Sequence, residues 1–151
     1  MPAPELVPPD FEVPEALTCR DFHLTPLGPE HNDADYAAWM SSIEHIRATP
    51  GFADWSWPVP MTPEENLRDL REHRDDFVRR RGFTYTVLDP SDAVIGCVYI
   101  YPSKRPGVDA AVRSWVRADC AHLDLPLYDA VSTWLAKDWP FATVDYAGRN
   151  G

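Results

Sequence analysis

The chain has 151 residues, a formal net charge of −10 and 44% hydrophobic residues. That length and apolar content suit one domain with a real core and exclude a disordered chain. The acidic balance argues against a nucleic-acid partner, and the absence of any spanning apolar run argues against membrane insertion.

Residues 1–16 read as a proline-rich tail, with five prolines by Pro14 and with Phe11 and Val13 placed to pin it; residues 17–151 read as a single domain. Phe22 to Leu27 alternates apolar and polar residues and predicts a strand. Glu30, Asn32 and Asp33 are helix-start residues, and Tyr36 to Ile46 is a short predicted helix. Ala48 to Pro60 is a proline-punctuated loop that carries Phe52, Trp55 and Trp57, so it either packs down as a lid or lines a ligand site. Thr62-Pro63-Glu64-Glu65 is a capping box, and Leu67, Leu70, Phe77 and Val78 continue at helical spacing. Glu64 with Arg68, Asp75 with Arg79 and Asp76 with Arg80 stand as i,i+4 pairs, the Arg79–Arg81 run complements the helix dipole, and Gly82 is the expected stop.

Phe83 to Leu88 and Ala93 to Tyr101 predict an antiparallel hairpin joined by Asp89-Pro90-Ser91-Asp92. Ala110 to Val116 adds a third strand to this meander. Asp124 to Asp138 is a helix with Leu127, Val131, Trp134 and Leu135 on one face, and Asp124 fits as its N-cap. Pro140 ends it before a last strand, Phe141 to Tyr146. Cys19, Cys97 and Cys120 are too few and too scattered for a disulfide framework or a zinc site, so no metal is expected. No charged-then-apolar leader opens the chain, which reads as cytoplasmic.

This order of elements resembles the GNAT superfamily of acyl-CoA N-acyltransferases. Leu17 to Leu27 is similar to the opening strand of the ribosomal-protein-type N-acetyltransferases. Phe83 to Pro90 with Val94 to Tyr99 resembles the central hairpin and its glycine, and Ser114 to Arg117 resembles the end of the strand that leads into the cofactor loop. The resemblance implies an α+β fold with a mixed, mostly antiparallel central sheet flanked by helices, short of the family's C-terminal strands. It implies acetyl-CoA as cofactor, held in a V between two central strands and by backbone amides at the following helix, with Trp115, Val116, Arg117, Leu123 and Leu125 as its contacts. One departure stands out: the family's glycine-rich loop has no counterpart between Arg117 and Asp124, where Asp119 and Asp124 bring negative charge instead. Tyr128 and Tyr146 are the nearest substitutes for the family's thiolate-protonating tyrosine.

Amine acylation needs a base, for which the sequence offers Glu44, His45 and Asp109. Trp55, Trp57 and Tyr99 are the candidate substrate contacts. The function implied is acetyl-CoA-dependent N-acetylation of a small-molecule or peptide amine. The alternative is a GNAT-fold module without catalysis that binds a ligand or forms a dimer. A homodimer through strand exchange would cover the sheet edge that a short C-terminal half leaves open.

Overall fold

The computed structural model describes residues 5–149. Six strands form one sheet in chain order: β1 (Leu17–Thr18), β2 (His23–Pro26), β3 (Phe83–Leu88), β4 (Val94–Pro102), β5 (Ala110–Val116) and β6 (Val144–Tyr146). Every neighbouring pair is antiparallel except β5 and β6, which run parallel. A parallel neighbour needs a crossover. Helix α4 (Asp124–Asp138) supplies it.

The two sheet faces bury different clusters. Phe83, Tyr85 and Val87 of β3 point to the α4 face, where Leu127, Val131, Trp134 and Leu135 meet them. On the opposite face lie α1 (Asn32–Met40), α2 (Ile43–Ala48) and α3 (Pro63–Val78). Trp39, Ile46 and Leu70 pack there on Cys97, Tyr99 and Trp115. The alternation of β4 slips by one residue, because β3 pairs Val87 with Gly96 but Leu88 with Val94. Ile95 is the extra residue of this bulge. Gly96 is required beside it: a Cβ there would sit 2.3 Å from the Trp115 carbonyl oxygen.

Several local expectations need revision. The predicted helix over residues 36–46 is two helices, broken at Ser41 and Ser42, where the Ser41 hydroxyl bonds back to the Ala38 carbonyl. The capping box of α3 forms as read, with Thr62 accepting from the Glu65 amide and Glu65 accepting from the Thr62 amide. Its end does not need Gly82. The chain leaves the helix at Arg79, and Arg80 takes the left-handed turn at φ 62°. Gly82 instead gives room to the Tyr101 ring, whose Cε2 lies 2.1 Å from where a Cβ would stand. Of the three α3 pairs, only Asp75 with Arg79 forms; Asp76 meets Arg81, and Arg80 donates to the Pro8 and Phe11 carbonyls. Those bonds tie down the N-terminal segment. Among the described residues it carries no regular structure before Leu17, yet Val7 is 1% exposed inside the core and the Tyr85 hydroxyl donates to the Pro14 carbonyl. Residues 5–16 are therefore part of the domain, and residues 1–4 of the expected tail lie outside the described residues.

Candidate functional site

Two places on the sheet bring chemistry-bearing groups together. The first is a cavity of about 330 Å³ on the face of α1 and α3. Helical periodicity builds it. Asp35, Ala38 and Trp39 share the inward stripe of α1, while Asn66, Leu70 and His73 face them from α3. The aromatic loop closes over the top. Trp57 lies 5.3 Å from Trp39, 6.3 Å from Tyr99 and 6.1 Å from Trp115 between ring centroids, and Trp55 lies 5.7 Å from Tyr99. Trp55, Trp57 and Tyr99 thus line one cavity.

Asp35 is the unusual wall of this cavity. It is 4% exposed, and burial raises its carboxyl to a pKa of about 6 against one hydrogen bond from Asn66 that lowers it. Oδ2 accepts from the Asn66 amide at 3.1 Å; among the described residues Oδ1 accepts nothing. Asn66 has no donor left, since it also donates to Asn32, and its oxygen accepts from the Trp39 indole. Asp69, nearer the rim, is likewise raised by partial burial and by neighbouring Glu72. Burial pushes the His73 imidazole down, which keeps it neutral. Its Nδ1 lies 2.9 Å from the Tyr101 hydroxyl, which gives its own proton to Asp76 at 2.8 Å. Nδ1 also lies 3.1 Å from the Thr84 hydroxyl; because Tyr101 gives its proton to Asp76, the chain favours Nδ1–H donating to the Tyr101 oxygen, which leaves Nε2 as an acceptor.

The second place is the gap between β5 and β6. Pairing stops at Val112 with Tyr146, and β5 continues alone to Val116. The Arg117 amide bonds to Ile95, so ladder alternation turns the main-chain groups of Ser114 and Val116 away from β4 and into the gap. This is the V that an acyl-CoA arm requires, and the strand edge fits it.

The loop at its mouth does not. Ala118–Leu123 forms a short helical turn that runs directly into α4, and two of its leading amides have partners: Ala118 donates to the Ser42 hydroxyl and Cys120 to the Arg117 carbonyl. Arg117 makes a two-pronged bond to Asp119 at 2.9 and 2.7 Å. Arg149 lies across the gap with its side chain 3% exposed. It donates to Asp124 at 2.7 Å and to the Ser114 carbonyl at 2.9 Å, and it stands over Tyr128 and Tyr146. Asp124 is thus an ion-pair partner inside α4 and makes no N-cap bond; Leu123 precedes the helix instead. Protein groups therefore fill the end of the V where a diphosphate would lie, and as they stand they do not fit one.

The remaining sequence-predicted residues separate. Glu44 is exposed and pairs with Arg47, His45 carries a buried Nε2 without a partner among the described residues, and Asp109 accepts from the Ala142 and Thr143 amides to hold the turn into β6. None lines the cavity beneath the aromatic loop. Trp115 is fully buried on the α1 side and donates to the Tyr99 hydroxyl, so its side chain does not reach the V. Val116 turns its side chain into the core and only its backbone to the gap. Leu123 packs on the α4-side core and Leu125 is 37% exposed. Asp35, Asp69, His73 and Arg149 were missed. The legible signal for Asp35 was a carboxylate on the same helical stripe as Ala38 and Trp39; Arg149 left no signal at all.

No protein-family model and no curated protein sequence matches the chain. Solved structures do. The ribosomal-protein-S5-alanine acetyltransferase of Vibrio fischeri superimposes with a TM-score of 0.61 at 14% identity, covering 81% of this chain and 67% of that one. A GNAT-family acetyltransferase from Bordetella pertussis gives 0.56 at 20% identity, covering 82% and 71%. The microcin C7 self-immunity acetyltransferase, solved with acetyl-CoA and AMP, gives 0.59 at 10% identity, covering 79% and 63%. The chain thus spans about two thirds of the length of these neighbours, and over that span it has the fold of the GNAT-family acetyltransferases.

Proposed function

We propose that this chain is a divergent acyl-CoA-dependent N-acyltransferase that modifies a primary amine. The observation that carries the reading is the parting of β5 from β6 after Val112, with the Ser114 and Val116 backbone turned into the gap. The acetyltransferases that share the fold support it, one of them solved with acetyl-CoA.

When bound, acyl-CoA supplies the thioester acyl group. The chain's own residues do the rest. Asp35 and Asp69 hold the acceptor as an ammonium ion, and the Trp55, Trp57 and Tyr99 rings exclude water from its body. His73 Nε2 takes the proton that must leave before nitrogen can attack, and Tyr101 with Asp76 fixes the ring for that task. Arg117 and Arg149 are the cations available to a diphosphate at the mouth of the V, provided each exchanges its aspartate for it.

A second reading is a GNAT-fold module that binds an amine without modifying it, alone or as a dimer. The Arg149–Asp124 pair across the gap favours it. Calorimetry with acetyl-CoA separates the two. Micromolar binding that free CoA competes away supports the acyltransferase; no heat at millimolar acetyl-CoA leaves the binding module.

A further inference from the structure

We propose that the cavity beneath the aromatic loop selects an organic monocation with an apolar body, such as an aralkylammonium or branched alkylammonium ion. This deepens the acceptor reading above and rests on it only for the chemistry that follows binding.

The charge argument comes first. Two carboxylates line the cavity and no Lys or Arg does. Asp35 is 4% exposed, its Oδ1 accepts nothing among the described residues, and the residue lines the cavity, so this oxygen is open to a ligand there. A largely desolvated carboxylate with an unused oxygen is costly, and a cationic donor offsets that cost more than a neutral donor does. The walls agree. The faces and edges of Trp55, Trp57 and Tyr99 surround the same volume, and aromatic faces attract a desolvated cation. Arg113 already stacks on Trp55 at 4.2 Å, so at least one of these rings holds a cation in the folded protein.

The apolar body follows from what the walls lack. Asn66 spends its amide on Asp35, Asn32 and Trp39. The Tyr99 hydroxyl accepts from Trp115, and the Tyr101 hydroxyl serves His73 and Asp76. A peptide acceptor would bring carbonyl groups that find few free donors here. A metal ion is disfavoured as well, since among the described residues no group of three or more His, Cys, Asp or Glu converges. A volume of about 330 Å³ exceeds what a bare ammonium ion fills and admits a ring or a branched chain.

The test needs no acyl donor. Intrinsic tryptophan fluorescence and calorimetry follow titration of the whole protein with 2-phenylethylammonium, 2-phenylethanol and phenylacetate. The ammonium ion is expected to saturate at least about tenfold more tightly than the alcohol, and the carboxylate not at all. Asp35→Asn keeps the Asn66 hydrogen bond and is expected to lose about tenfold or more of the ammonium affinity without losing the fold. Asp69→Asn, nearer the rim, loses about two- to threefold. Equal affinity for ammonium and alcohol overturns the proposal, and so does an Asp35→Asn protein that binds as wild type. Should Asp35→Asn fail to fold, the ligand series on the wild-type protein decides alone. Transfer from acetyl-CoA is measured separately. Ammonium binding without transfer removes the acyltransferase reading and leaves this one, whereas transfer to amines that ignores Asp35→Asn removes this one.

Discussion

The cavity on the α1–α3 face and the gap on the α4 face treat their charges in opposite ways. In the gap the charges are matched: Arg149 has Asp124, Arg117 has Asp119, and the Ala118 and Cys120 amides of the loop have acceptors. In the cavity a carboxylate is held at 4% exposure with an oxygen to spare, and a neutral imidazole stands by with a free nitrogen. A fully paired cluster is a structural solution, while an unpaired buried group is a retained cost. The contrast is what favours the cavity for the ligand recognition we propose, and in the gap a cofactor would have to displace these protein pairs.

The largest effect expected is that of Trp57→Ala. Trp57 contacts the Trp39, Phe52, Tyr99 and Trp115 rings, so its loss should cost about 3 kcal/mol of stability and abolish ammonium binding, measured by denaturant unfolding and titration. A stable Trp57→Ala protein with normal turnover would show that the loop is no wall of the site. His73→Gln keeps a hydrogen bond to Tyr101 and removes the base; transfer should fall by about a hundredfold and lose its acid limb in kcat/KM against pH.

Asp35→Asn sharpens the contrast through stability. The folded pKa of about 6 lies above the ordinary carboxylate value of 3.8, so the native state holds the proton more tightly than the unfolded chain. Stability from this group is therefore full below that ordinary value and is lost as pH rises towards 6. The groups facing Asp35 are Asn66 and Asp69 on α3 with Cys97 and Tyr99 on β4. The variant should equal wild type near pH 4 and exceed it by on the order of 2 kcal/mol at pH 7.5, read from unfolding curves at both pH values. A variant no more stable at the higher pH breaks the idea that the carboxylate is held at a cost.

Asp124→Asn tests the gap. Freeing Arg149 from its carboxylate should tighten acetyl-CoA by about three- to tenfold while lowering stability by about 1 kcal/mol. Unchanged or weaker affinity removes the account of Asp124 as the occupant of the anion position. The smallest effect is a control in neither region. Asp75→Ala breaks an exposed pair with Arg79 and should change stability by less than about 0.5 kcal/mol and ligand binding not at all.

What the residues determined alone was the local framework. The capping box at Thr62, the extents of β3, β5 and α4, and the presence of a strand after Pro140, shorter at Val144–Tyr146 than the expected Phe141 to Tyr146, follow from periodicity, caps and turns. The aromatic loop was legible as a ligand-lining or lid segment because three large apolar rings in a proline-rich stretch need burial. Tertiary structure alone decided the rest. Glu44 and Asp109 are the carboxylates the sequence singles out, but packing exposes the first and ties the second to a turn, and it buries Asp35, which the sequence does not single out, with an oxygen to spare. Arg149 entered the gap from 25 residues beyond Asp124. A carboxylate's role depends on how much water is removed and which donors remain, and both quantities are set by chain segments far apart in sequence.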